Sequence, residues 1–142
     1  MLEALHTLTA ISLGIFAGAQ LAEACILVPF WRGLPPSDFF DLHHSMGPRL
    51  FRFFAPVTAF AVLLAIVSAL LSDGELWQVS AGVLSFIALA MFFAYFKAAN
   101  AAFAARSFAD EQLPAKLKRW AGWHLARTVV VAGAFISSVL AL

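Results

Sequence analysis

Residues Leu50–Ala101 read LFRFFAPVTAFAVLLAIVSALL, then SDGE, then LWQVSAGVLSFIALAMFFAYFKAANA. A helix rises ~1.5 Å per residue, so crossing about 30 Å of hydrocarbon takes roughly 20 apolar residues. The runs Leu50–Leu71 and Leu76–Ala101 both meet that length. Between them Ser72-Asp73-Gly74-Glu75 is rich in turn formers, which predicts a close antiparallel hairpin with the shortest connection in the chain.

Working outward, two further runs qualify, Ala4–Trp31 before the hairpin and Trp120–Leu142 after it. The predicted fold is therefore all-α: a four-transmembrane-helix bundle forming a single domain over residues 1–142. Two longer connections complete it. Arg32–Pro48 carries Gly33, Pro35, Pro36, Gly47 and Pro48, and Ala102–Arg119 is interrupted by Pro114. The first span ends in small residues near Ala24 but has no positively charged leader, so it reads as a retained helix rather than a cleaved signal.

Composition points the same way. The chain of 142 residues is 63% hydrophobic and only 12% charged, with a mean hydropathy of +0.90, so a bilayer is its expected solvent. A net charge of +1 without a dense basic tract excludes nucleic acid as a partner. The single cysteine, Cys25, cannot form an internal disulfide and is expected as a small buried side chain. Alanine richness in the last two spans fits close helix packing. Gly14, Gly18 and Ala22 form a small-residue stripe expected to pack against a neighbouring helix of the same chain.

Lysine and arginine orient the bundle. Arg32, Arg49 and Arg52 flank the first connection and Lys97, Arg106, Lys116, Lys118 and Arg119 the third, whereas the second has only Asp73 and Glu75. The positive-inside rule then puts both termini on the non-cytoplasmic side, as in the inner membrane of a bacterium. Trp31, Tyr95, Trp120 and Trp123 fall near the cytoplasmic interface and Trp77 near the other. In the first connection Ser37 is placed to cap a short interfacial helix through His44, with Phe39, Phe40 and Met46 entering the lipid boundary. Pro56 should bend the second span near its cytoplasmic end.

Arg127 is the one basic residue remote from a connection, about 12 Å along the helix from Arg119. Glu23 lies at comparable depth in the first span. Residues three apart share a helix face, and the embedded polar residues form such pairs: Gln20 with Glu23, Lys97 with Asn100, His124 with Arg127, and Arg49 with Arg52 at the start of the second span. Every pair falls toward the cytoplasmic end. One account is purely structural, an interhelical Glu23–Arg127 ion pair with Gln20, Asn100 and His124 as hydrogen-bonding glue. The other is a pocket, because ionisable groups inside a membrane mark sites. For a metal, His43, His44, His124 and Glu23 are suitable ligand types, although no HxxxH or ExxH spacing occurs among them. A haem would need a second histidine facing His124.

The run Gly18-Ala19-Gln20-Leu21-Ala22-Glu23 leading to Pro29-Phe30-Trp31-Arg32, with Asn100 and Arg119-Trp120-Ala121-Gly122-Trp123-His124-Leu125-Ala126-Arg127-Thr128, resembles the small four-helix membrane proteins grouped with the anthrone oxygenases. The resemblance implies an oxidoreductase that converts a hydrophobic, polycyclic aromatic anthrone to a quinone with molecular oxygen. It implies Glu23 or His124 as base, Arg127 holding the developing anion and Asn100 orienting substrate. Gln20, Arg52 and Trp123 complete the expected substrate-binding set. The sequence identifies no cofactor, and none is one reading. The expected partners are the lipid bilayer and a hydrophobic small molecule, with a homo-oligomer left open. The alternatives are a non-catalytic binding or tolerance protein and a small carrier, in which the Glu23–Arg127 pair is structural.

Overall fold

The structure is a computed structural model describing residues 1–142. It consists of four long helices and no strands: α1 (Leu2–Arg32), α2 (Pro36–Leu70), α3 (Leu76–Ala104) and α4 (Asp110–Leu140). Each is long and apolar enough to cross a membrane. Neighbours in sequence pack against each other and α4 closes the ring on α1. Large apolar side chains face outward on every helix, among them Ile15, Leu63, Phe86 and Val129. This is the reverse of a water-soluble bundle and suits a lipid surround.

The centre of the bundle is filled by Leu13, Phe16, Ala61, Ala65, Ala81, Ala88, Val131 and Ala134. Small residues set the spacing of α2 and α3. A Cβ added at Gly82 would lie 2.7 Å from Cβ of Ala69 and 3.2 Å from the Ala65 carbonyl oxygen, so the helices touch here almost backbone to backbone. The turn beyond this contact uses left-handed backbone at Asp73 (φ 51°) and Gly74 (φ 82°). Glu75 then caps α3, its carboxylate accepting from the backbone N–H of Trp77 (3.1 Å) and Gln78 (2.7 Å).

The opposite end, where α1 meets α2 and α3 meets α4, is the basic end, and its helices are irregular. All six prolines lie in this half. Pro36 and Pro114 occupy first-turn positions, where a missing N–H costs nothing, whereas Pro48 and Pro56 are inside α2. In α1 the segment Glu23–Leu27 widens to a π-helix, with the Val28 N–H bonded to the Glu23 carbonyl. That widening relieves the clash Pro29 would otherwise make with the Cys25 carbonyl. A second π segment, Phe92–Phe96, interrupts α3.

Several expectations are corrected. No separate interfacial helix exists: Pro36–Leu70 is one helix through Gly47 and Pro48. Phe39 and Phe40 do not enter lipid but are buried, with Phe39 against Phe103 and Phe40 against Phe108. The α1–α2 connection is only residues 33–35, shorter than 71–75 in the α2–α3 hairpin, because α2 begins well before Leu50. Likewise α4 starts before Trp120, since Pro114 begins its α-helical turns instead of breaking a loop. Cys25 is exposed, because it lies two residues on from buried Glu23, close to the opposite face of the helix. Of the expected packing stripe, only Gly14 meets a neighbour: a Cβ added there would lie 3.0 Å from the Phe135 ring, while Gly18 and Ala22 are exposed.

Gly82→Ala should destabilise the protein by about 1–3 kcal/mol, since the neighbouring backbone cannot yield as a flexible side chain would. Gly18→Ala, with nothing within 4 Å of its Cβ position, should be neutral or slightly stabilising. Thermal unfolding in detergent measures both, and equal effects would contradict the close α2–α3 contact.

Candidate functional site

The irregular half encloses a cavity of about 640 Å³ reached by all four helices. Its polar lining includes Gln20 and Glu23 from α1, His43, His44 and Thr58 from α2, Asn100 from α3, and His124 and Arg127 from α4. Gln20, Glu23, His124 and Arg127 are all at least nine-tenths buried. The rest is mainly hydrocarbon, with nine aromatic rings: Trp31, Phe39, Phe51, Phe54, Phe92, Phe93, Phe96, Phe103 and Trp120. Thus α1, α3 and α4 each bring an embedded polar group read from the sequence to one chamber.

His124 is fixed from two sides. Its Nε2 lies 3.2 Å from the Gln20 carbonyl oxygen. A carbonyl only accepts, so this bond requires the hydrogen on Nε2 and leaves the neutral ring's lone pair on Nδ1. The imidazole also stacks on Trp120, with ring centroids 5.0 Å apart and planes 15° from parallel. The Glu23 carboxylate stands 3.7 Å from the same Nε2, within ion-pair range but too far for a hydrogen bond. The π segment begins at Glu23, one turn after the Gln20 carbonyl that meets His124.

Arg127 differs most from the sequence reading. No ion pair joins it to Glu23 within 4.0 Å. Its guanidinium carbon instead lies 5.5, 6.0 and 5.3 Å from the ring centroids of Phe16, Phe92 and Phe96. Cation–π attraction to three faces, each contributing on the order of 0.5–2 kcal/mol when desolvated, offsets part of its burial. Its Nε and the side-chain oxygen of Gln20 remain buried without a hydrogen-bond partner. A donor and an acceptor are thus left unmatched in the packed wall of the chamber.

Asn100 accepts a hydrogen bond from the Trp120 indole at 2.9 Å, leaving its amide N–H groups to donate. Arg52 and Trp123 do not line the cavity. Arg52 is exposed and bonds back to the Pro48 carbonyl at 3.3 Å. Trp123 stacks on Tyr95 at 4.8 Å, because one residue from His124 is about 100° around the helix. Trp120, four residues before His124 and on its face, occupies the place expected of Trp123. Of the metal-ligand candidates, His43 lies against Phe39 and Phe103, and no three His, Cys, Asp or Glu side chains come together as a ligand set. The aromatic lining is the feature sequence reading missed. Fifteen phenylalanines signalled only apolarity, since inward and outward rings look alike in so hydrophobic a chain.

Comparison with known proteins gives no match to any protein family, curated protein or solved structure.

The geometry sets a direct test of the ion-pair account. Glu23→Gln and Arg127→Gln, combined in a double-mutant cycle, should show a coupling well below that of a direct buried pair in detergent unfolding, since the two charges share a cavity but make no contact within 4.0 Å. A well-buried direct pair would instead lose about 3–5 kcal/mol when either partner is removed.

Proposed function

We propose that this protein is an integral membrane oxidoreductase of the anthrone oxygenase type, acting on a flat, hydrophobic, polycyclic aromatic substrate. The observation that carries the reading is the meeting of the Glu23–His124 pair and an Arg127 without direct carboxylate contact in one aromatic-lined cavity. The resemblance of the Gln20–Glu23 and Trp120–Arg127 segments supports the same chemistry. A cavity of this size accommodates three or four fused rings.

In this reading the substrate's benzylic CH2 loses a proton to Glu23 or to Nδ1 of His124. The resulting enolate or phenolate oxygen is held by Arg127, with the Asn100 amide orienting the ring system. The carbanion reacts with O2. One oxygen atom becomes the new carbonyl and the other leaves as water with the two hydrogens of the CH2, so CH2 and O2 give C=O and H2O. Rings packed around the chamber exclude bulk water and strengthen the charge contacts.

Oxygen uptake with a hydroxyanthrone, above the protein-free rate, tests the proposal. His124→Gln or Glu23→Gln should lower kcat by about 100-fold or more while the folded protein is retained. Saturable binding without uptake in the wild type would favour the non-catalytic binding reading, and neither binding nor uptake would leave the cluster structural.

The charge distribution supports an orientation with the basic end and its cavity on the cytoplasmic side. In a Cys25→Ser background, an impermeant thiol reagent should label Asp73→Cys from outside the cell and Lys116→Cys only after the membrane is opened. The opposite pattern would invert the orientation, and labelling of both from one side would contradict the four-span topology.

A further inference from the structure

The cavity has walls of two kinds. On α1 and α4 the polar lining residues Gln20, Glu23, His124 and Arg127 are buried, with a smaller groove beside Glu23 between α1 and α2. On α2 and α3, lining residues are also exposed on the outer surface: Phe51 and Ala59 on one helix, Phe93 and Ala101 on the other. A side chain that touches both the chamber and the exterior lies on a rim. Phe51, Ala55 and Ala59 repeat every four residues along one face of α2, so their rim runs along the helix.

The two rim helices are those held together at Gly82 in the terminal half. In the other half Pro48 and Pro56 interrupt α2 and the Phe92–Phe96 π segment interrupts α3. Helices touching at one end and irregular at the other can part between those points. Toward the basic end the rim continues at His44, Pro48 and Ala104, which line the cavity and are exposed, while Phe39, Phe103, Leu117 and Trp120 form its buried inner wall. The inner part of the gap lies at hydrocarbon depth: Ala59 is seven residues, about 10 Å, beyond the exposed cation Arg52.

From these features, and resting on the pocket reading above, we infer that the cavity is entered sideways through a window between α2 and α3. Its ligand is drawn directly from the bilayer as an amphiphile with a flat apolar body and one anionic or hydrogen-bond-accepting end. The body fits between the Phe51 and Phe93 rims. The polar end meets the guanidinium of Arg127, which lines the inner side of the chamber. Exposed Arg52 and Lys97 flank the window and favour the same charge at the surface.

The probe is 9-anthracenecarboxylate, with anthracene as its uncharged counterpart, in phosphatidylcholine nanodiscs. Trp31 and Trp120 line the cavity, so energy transfer from indole to the probe reports occupancy by stopped flow. Saturable transfer is expected in the wild type. Ala55→Leu with Ala59→Leu narrows the window and should slow association about tenfold, whereas Phe93→Ala widens it and should speed association and dissociation together by a similar factor. Opposite signs in the two variants separate a passage effect from damage to the fold. Arg127→Gln should weaken the carboxylate by about tenfold while leaving anthracene binding in place. Saturable binding with wild-type rates in both rim variants would overturn the window alone. Equal loss of both probes in Arg127→Gln would overturn the assignment of the polar end. Absence of saturable transfer in the wild type would overturn the pocket reading and the window with it.

Discussion

In hydrocarbon, backbone polar groups have no water to turn to, so irregular helix is tolerated only where protein or a cavity compensates for it. This constraint divides the bundle. In the terminal half the helices are regular and held at close range by small residues, with Gly82 against Ala65 and Ala69. In the basic half, three prolines inside helices and two π segments accumulate, and they surround the one large chamber. The energetic cost of broken helical hydrogen bonds is thus concentrated where the fold leaves space. Such space is what a membrane protein needs in order to hold something other than itself.

Within that space the charges are arranged for interaction with a guest. A Glu23–Arg127 brace would have satisfied both groups and left the chamber inert. Instead the carboxylate faces an imidazole, and the guanidinium rests among phenylalanine faces with Nε unmatched. Aromatic rings shelter a cation without consuming its hydrogen-bond donors. Arg127 therefore remains available to an incoming oxygen in a way that an ion-paired arginine would not.

The four long apolar helices were legible because their signal is length and apolarity, which depend little on context. Helical spacing also placed Gln20, Glu23, Asn100, His124 and Arg127 at one level, and the structure brings all five to one cavity. Spacing fixes depth along a helix but not rotation relative to a neighbour, so Glu23–Arg127 contact could not be distinguished from Glu23–His124 contact. The same ambiguity misplaced Trp123 and overlooked Trp120. The missing break at Gly47-Pro48 has another cause. At 35 residues, or about 50 Å, α2 exceeds the hydrocarbon thickness, and its first turns are held by Phe39 and Phe40 packed onto α3 and the α3–α4 connection. Long-range packing of that kind outweighs the local preference of glycine and proline to end a helix.

The short turn at Asp73 and Gly74 also bears on biosynthesis. With residues 71–75 alone between them, α2 and α3 have too little slack to enter a membrane one after the other as independent segments. In the proposed orientation they enter as a single hairpin, carrying Asp73 and Glu75 through the hydrocarbon together. Two carboxylates resist that passage, but two long apolar segments favour it, and the Glu75 cap becomes useful only once the turn has reached water on the far side. The hairpin is then a natural first intermediate of assembly, against which α1 and α4 would later close the chamber.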